Sequence, residues 1–323
     1  MTKIAVLDDW QGVARECADW SALEARAEVT IFREAFASED AAALSLAPFD
    51  IILSLRERTA FPASLVERLP HLKMFSLTGA RAGSIDSTLM MERGITVCNT
   101  GGGGSGFATS ELALGLMISA SRELPRAFAE MHEGRFQGEV PLGYELAGKT
   151  LGVVGLGRLG ARMAHYGKAL DMDVIAWSQN LTDDKAAQGG ARRVSKEELF
   201  AQADVISLHL VLSDRSRGIV GEQDLARMKP GAVIINTSRG PLIDEAALIK
   251  ALEAGRIGAG LDVYDHEPLP ADHPLRKLPN AVLTPHLGYV VREGLEVFYV
   301  QLIENAMAFL DGKPIRLMPA PKG

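Results

Sequence analysis

The chain has 323 residues, enough for two compact domains, and its 47% apolar and 23% charged residues exclude both a disordered chain and a small scaffold that needs staples. A formal net charge of -7 excludes a surface built wholly as a nucleic-acid footprint and leaves room for a local basic pocket for a small anion. The two cysteines, Cys17 and Cys98, form no C-x-x-C pair and read as reduced thiols of a cytoplasmic protein, residues 4–7 are too short an apolar run for a signal peptide, and no run of about 18 apolar residues predicts a membrane span.

Short apolar runs alternate with longer helical segments, the βαβ rhythm of a parallel sheet covered by helices. Strands are expected at residues 4–7, 29–32, 51–55, 74–77 and 95–98. The glycine run at 101–106 then breaks the pattern before an apolar helix at 110–121, and a domain boundary is placed there. A second series at 151–154, 174–177, 205–208, 233–236, 259–263 and 281–284 predicts a Rossmann sheet of six parallel strands. A helix over 293–310, closed by Asp311-Gly312-Lys313-Pro314, is expected to return to the first domain. The fold class is α/β.

Gly155-Leu156-Gly157-Arg158-Leu159-Gly160 follows the strand at 151–154 and opens a helix read at 161–170. Glycines at that spacing allow a tight turn and bring backbone N–H groups close to a pyrophosphate at a helix N-terminus. The plain alternative is a glycine-rich turn that serves only helix–sheet packing. An acidic residue about 20 positions on would accept from a ribose 2′-hydroxyl and repel a 2′-phosphate. Trp177-Ser178-Gln179-Asn180 stands there instead, so NAD is not preferred over NADP on this ground. Arg158 either contacts the pyrophosphate or faces solvent.

Three further stretches follow in order: Asn236-Thr237-Ser238-Arg239-Gly240, Leu261-Asp262-Val263-Tyr264-Asp265-His266-Glu267-Pro268 and Thr284-Pro285-His286. With the glycine fingerprint they make the chain resemble the D-isomer-specific 2-hydroxyacid dehydrogenases, which include phosphoglycerate, glyoxylate/hydroxypyruvate and D-lactate dehydrogenases, over nearly its whole length. The resemblance implies hydride transfer between NAD or NADP and C2 of a small D-2-hydroxy or 2-keto acid. It makes His286 the acid/base, a role suited to a side chain with an ordinary pKa of about 6.5. It makes Glu267 the partner that orients the imidazole and favours its charged form, and Arg239 the planar fork for the substrate carboxylate and carbonyl. Cofactor contacts are implied for Gly155, Gly157, Arg158, Leu159, Gly160, Ser178, Gln179, Thr109, Ser238 and Asp262, the last at the nicotinamide carboxamide, while His209 is structural or cofactor-proximal.

In the first domain, Leu55-Arg56-Glu57-Arg58-Thr59 is similar to the family's R-S-x-T loop, where Arg56 faces substrate or pairs with Glu57 at the surface. The stretch 78–86 falls where the family holds the substrate carboxylate on backbone N–H groups, which points to Gly79, Ala80 and Arg81; Arg81, Gly83 and Ser84 depart from the usual glycine, aspartate and asparagine. Tyr289 narrows the pocket or packs as a plain aromatic. The domains implied are two doubly wound parallel-sheet units: a flavodoxin-like substrate (catalytic) domain, residues 1–100 with 290–323, and a Rossmann dinucleotide-binding domain, residues 101–289. A homodimer is implied, with no nucleic-acid or membrane partner. No metal is expected, because Asp265, His266, Glu267, Asp272 and His273 lack a ligand-spacing motif. The competing class is an NAD(H)-sensing, corepressor-like scaffold without significant turnover.

Overall fold

The computed structural model describes residues 1–79, 83–102 and 106–319. The chain forms two compact units, Met1–Gly106 with Val291–Gly323, and Phe107–Val290.

The first unit carries β1 (Thr2–Val6), β2 (Ala27–Ile31), β3 (Ile51–Ser54), β4 (Met74–Leu77) and β5 (Thr96–Asn99) in the order β2-β1-β3-β4-β5. Every pair is parallel, which is the flavodoxin-like arrangement. All residues of β3 and β4 are buried, as expected when helices cover both faces, so these strands read as continuous apolar runs rather than alternating ones. The helix Arg292–Leu310 belongs to this unit. Its fully buried Asn305 donates to Ser76 Oγ at 3.0 Å and to the Asn99 carbonyl at 3.1 Å, so a polar residue in the core is satisfied by the sheet.

The second unit carries β6 (Thr150–Val154), β7 (Asp173–Trp177), β8 (Arg192–Arg193), β9 (Val205–Leu208), β10 (Val233–Asn236), β11 (Gly258–Leu261) and β12 (Ala281–Leu283). The order is β12-β11-β10-β9-β6-β7-β8, parallel throughout. The order reverses between β6 and β9, where a doubly wound sheet opens a crevice at the carboxyl ends of its strands. The sheet therefore has seven strands where six were expected. The additional one, β8, is two exposed arginines at the sheet edge, with no apolar run to announce it. The helix after the glycine turn also starts earlier than read, at Arg158 rather than 161, because Gly157 is its N-cap and Gly160 already lies in its first turn.

Candidate active site

The glycine turn sits at the strand-order reversal. Gly155 has φ +94°, and a Cβ there would lie 2.7 Å from the His209 carbonyl oxygen; its N–H donates to the Trp177 carbonyl at 2.8 Å. A Cβ on Gly160 would lie 2.0 Å from the Gly155 carbonyl oxygen, so helix and turn pack backbone to backbone. A Cβ on Gly157 meets nothing within 4 Å. Gly157 also has no side chain to cap the first-turn N–H groups of the Arg158–Ala169 helix, so that turn is an anion cradle into which a pyrophosphate fits. Arg158, exposed, and Leu159 are the first two residues of that helix. Ser178, half-buried, and Gln179, exposed, follow the end of β7.

His209 follows β9. Its Nε2 lies 2.8 Å from Ser207 Oγ, and its buried Nδ1 has no hydrogen-bond partner among the described residues. Burial of the ring pulls its pKa down to about 4, so it stays neutral near pH 7. An orphaned polar atom beside the glycine turn is a position that a polar ligand group would satisfy.

Three loops leave the carboxyl ends of the consecutive strands β10, β11 and β12, whose register aligns Asn236 with Leu261 and Leu261 with Leu283. The first carries Ser238 and Arg239. Asn236 braces it from within: its Nδ2 donates to the Arg239 carbonyl at 2.8 Å and its Oδ1 accepts from Ser238 N at 3.0 Å, while Ser238 Oγ donates to the Leu208 carbonyl at 2.7 Å. The second carries Glu267, whose Oε1 accepts from Tyr264 N at 2.9 Å. The two loops touch at Gly240, where a Cβ would lie 2.1 Å from the Tyr264 carbonyl carbon; only glycine permits that approach.

The third loop carries His286, held in the left-handed region at φ 54°. Strain of this kind persists only where the surroundings over-determine it, and here they do. Asp262, fully buried just past β11, accepts at Oδ1 from Thr284 Oγ1 at 2.6 Å and Leu287 N at 2.7 Å, and at Oδ2 from Gly288 N at 2.8 Å. Burial pushes its carboxyl pKa up, and the bonds from Thr284, Leu287 and Gly288 pull the other way. Thr109, in the first turn of the Ala108–Ser121 helix, donates to the Gly288 carbonyl at 2.7 Å, and Tyr264 OH donates to the Thr284 carbonyl at 2.9 Å.

The result is one pair: His286 Nδ1 lies 2.5 Å from Glu267 Oε2. An ionised carboxylate only accepts, so Nδ1 carries the hydrogen and Nε2 is the nitrogen left to exchange a proton. The Tyr289 ring stands edge-on to the imidazole, with centroids 5.6 Å apart at 80°, and buttresses it. Sequence reasoning named Arg239, Glu267, His286, Thr109 and Asp262 but missed the braces from Asn236, Tyr264 and Gly240. It also missed that Asp262 latches the histidine loop.

In the first unit, Arg56 and Gly79 follow β3 and β4 side by side. A Cβ on Gly79, φ +87°, would lie 2.0 Å from Arg56 Nη1, and Gly79 N donates to Thr100 Oγ1 at 2.9 Å. Ala80 and Arg81 lie outside the described residues. Cys17 and Cys98 are both free and buried. Among the described residues no His, Cys, Asp and Glu group has the makings of a metal site, and no helix is long and apolar enough to cross a membrane.

A doubly wound sheet with a glycine cradle at its switch point defines a dinucleotide-binding protein. The profile of the D-isomer specific 2-hydroxyacid dehydrogenase NAD binding domain matches residues 114–288. A glyoxylate reductase from Thermococcus litoralis is 39% identical over 257 residues, covering 77% of this chain and 77% of that one. A D-3-phosphoglycerate dehydrogenase from Archaeoglobus fulgidus is 36% identical over 263 residues, covering 81% of this chain and 50% of that one. This chain thus spans about half the length of the curated D-3-phosphoglycerate dehydrogenases it matches. The solved structure of a phosphoglycerate oxidoreductase from Vibrio Cholerae o395 superimposes with a TM-score of 0.91 at 39% identity, covering 97% of this chain and 100% of that one. The chain belongs to the D-isomer specific 2-hydroxyacid dehydrogenase family.

Proposed function

We propose that this chain reduces small 2-keto acids to D-2-hydroxy acids, and oxidises them in reverse, with NADH or NADPH. The observation that carries the proposal is the His286–Glu267 pair at 2.5 Å on a loop beside the Arg239 loop. A bound nicotinamide supplies the hydride that goes to C2. His286 donates the proton from Nε2 to the carbonyl oxygen and takes it back in oxidation, while Glu267 holds the ring so that Nε2 stays on the substrate side. The Arg239 guanidinium binds the substrate carboxylate and polarises the carbonyl. Arg56 and the Gly79 main chain serve as further substrate groups.

On the cofactor side, Gly155, Gly157 and Gly160 with the N–H groups of Arg158 and Leu159 hold the pyrophosphate, Ser178 and Gln179 meet the ribose, and Thr109, His209, Ser238 and Asp262 border the nicotinamide. With no carboxylate at 178, that position gives no ground for preferring NADH over NADPH. The free, buried thiols support a reducing compartment, the cytoplasm. The exposed apolar side chains on and after the Leu124–His132 helix support a homodimer. The test is loss of NADH and NADPH absorbance with a panel of 2-keto acids. Turnover supports the enzyme; cofactor binding without turnover on any acid favours a sensing scaffold and overturns the proposal.

A further inference from the structure

On the reading of Arg56 as a substrate group, we propose that Asp8 is a positioning residue: it latches the loop 56–59 to the end of β1, and losing the latch weakens keto-acid binding without slowing the chemistry. Asp8 sits where a carboxyl is unfavourable. It is 1% exposed, its backbone is left-handed at φ 65°, and its Oδ2 is buried with no hydrogen-bond partner among the described residues. Buried carboxylates normally have their oxygens satisfied, and a strained backbone persists where surrounding structure holds it for a purpose.

What Asp8 holds is the arginine loop. Thr59 Oγ1 donates to Asp8 Oδ1 at 2.9 Å, Arg58 Nη1 donates to the Asp8 carbonyl at 2.7 Å, and the Arg58 guanidinium lies 4.5 Å from the centre of the Trp10 ring. The opposite flank is tied to β4 and β3. Arg56 N donates to Thr78 Oγ1 at 2.7 Å, and the Arg56 carbonyl accepts from Ser54 Oγ at 3.2 Å. Arg56 is also left-handed, at φ 59°, so neither its backbone nor its direction would be kept by local preference alone. The neighbouring Asp9 serves a different purpose, because its Oδ1 accepts from Val13 N at 2.9 Å and from Tyr299 OH at 3.1 Å, which anchors the 8–9 turn to the core of the unit. Asp8 is thus fixed on one side by Asp9 and grips Thr59 and Arg58 on the other. It reaches substrate only through Arg56.

The test is steady-state kinetics of the full chain with NADH and with pyruvate, glyoxylate and hydroxypyruvate as probes, for Arg56→Ala, Asp8→Ala, Thr59→Val and Thr59→Ser. The expected result is a roughly tenfold rise in keto-acid KM for Asp8→Ala and Thr59→Val, with kcat within about twofold and NADH affinity unchanged. Thr59→Ser keeps the hydroxyl and should return KM to near wild type. Should Asp8→Ala not fold, the Thr59 pair decides, since it alters only the bond to Asp8 Oδ1. If Arg56→Ala raises KM while the folded latch variants leave it unchanged, or lower kcat as much as kcat/KM, the latch is overturned and Arg56 stands. If Arg56→Ala leaves KM unchanged, or the wild type reduces none of the probes, the reading beneath falls and the latch with it.

Discussion

His286 combines a left-handed backbone, a hydrogen bond from Nδ1 to Glu267 and an aromatic edge from Tyr289, so its free nitrogen is presented in one orientation. His286→Asn keeps the size of the ring edge and removes the exchangeable proton. Reductive kcat should fall roughly 10²- to 10⁴-fold with NADH affinity within about twofold, by stopped-flow and fluorescence titration. A folded variant with wild-type turnover would take His286 out of the mechanism. Asp8 gives a prediction of another kind. Burial raises its pKa from 3.8 to about 6, against the pull of the Thr59 hydrogen bond and the Arg58 charge. The folded state therefore binds this proton more tightly than the unfolded chain. The contribution is fully present below about pH 4 and is lost as pH rises through 6. Asp8→Asn removes the slope, so its melting temperature should gain on the wild type between pH 4 and pH 7; parallel melting curves across that range would contradict the assignment. Histidine, glutamate and arginine were legible as candidates because the order of their motifs resembles the family pattern. Asp8 was not, because nothing in a run of two aspartates says which one is left with an unpartnered oxygen.

Elements decide how closely these side chains come together. The Arg239 and Glu267 loops meet at Gly240, where an added methyl would stand 2.1 Å and 2.4 Å from the Tyr264 carbonyl carbon and oxygen. Gly240→Ala must push the loops apart, at a cost of about 1–3 kcal/mol for overpacking. Thermal unfolding should show that loss, and kcat/KM should drop by more than about 100-fold because the pair and the arginine move relative to each other. An alanine variant with unchanged kcat/KM would mean the contact does not set the geometry. At the end of β7, Ser178 follows the residue whose carbonyl accepts from Gly155 N, which places it one position from the glycine turn. Ser178→Asp should lower the NADPH-to-NADH ratio of kcat/KM at least about tenfold, since a carboxylate there would repel a 2′-phosphate at short range. A wild type already strongly selective for NADH, with no change in the variant, would remove position 178 as the selector. The strands were legible from their apolar runs, except β8, whose Arg192 and Arg193 pair with β7 without an apolar run to announce them. The helix at Arg158 was placed late because Gly160 reads as loop in sequence and as helix–turn packing in structure.

At the scale of the whole molecule, one stretch of the second unit carries several large exposed apolar side chains close together in sequence. Phe128 and Met131 on the Leu124–His132 helix are 59% and 57% exposed, and Phe136 and Leu142 beyond it are 75% and 100% exposed. In the homodimer proposed above, a two-fold contact between copies would cover this same patch on both. On the homodimer proposed above, Phe128→Asp with Met131→Asp should leave a monomer by sedimentation velocity. A wild type that sediments as a monomer, or a variant that remains a dimer, would move the interface elsewhere.

By itself the sequence determined the α/β class and the glycine cradle and named the groups proposed for the chemistry, because these depend on local patterns: apolar runs of strand length, three glycines between a strand and a helix, a histidine after Thr284-Pro285. Tertiary structure decided which strands are neighbours, and so that loops from three parts of the chain leave adjacent strands β10, β11 and β12. It also decided which hydrogen-bonding positions are taken: Asp262 commits its oxygens to the histidine loop, and Asp8 meets Thr59 across 51 residues of chain. Strand pairing and burial arise from contacts between distant segments, and the conformation, bonding and titration of a buried carboxyl follow from those contacts rather than from the residues beside it in sequence.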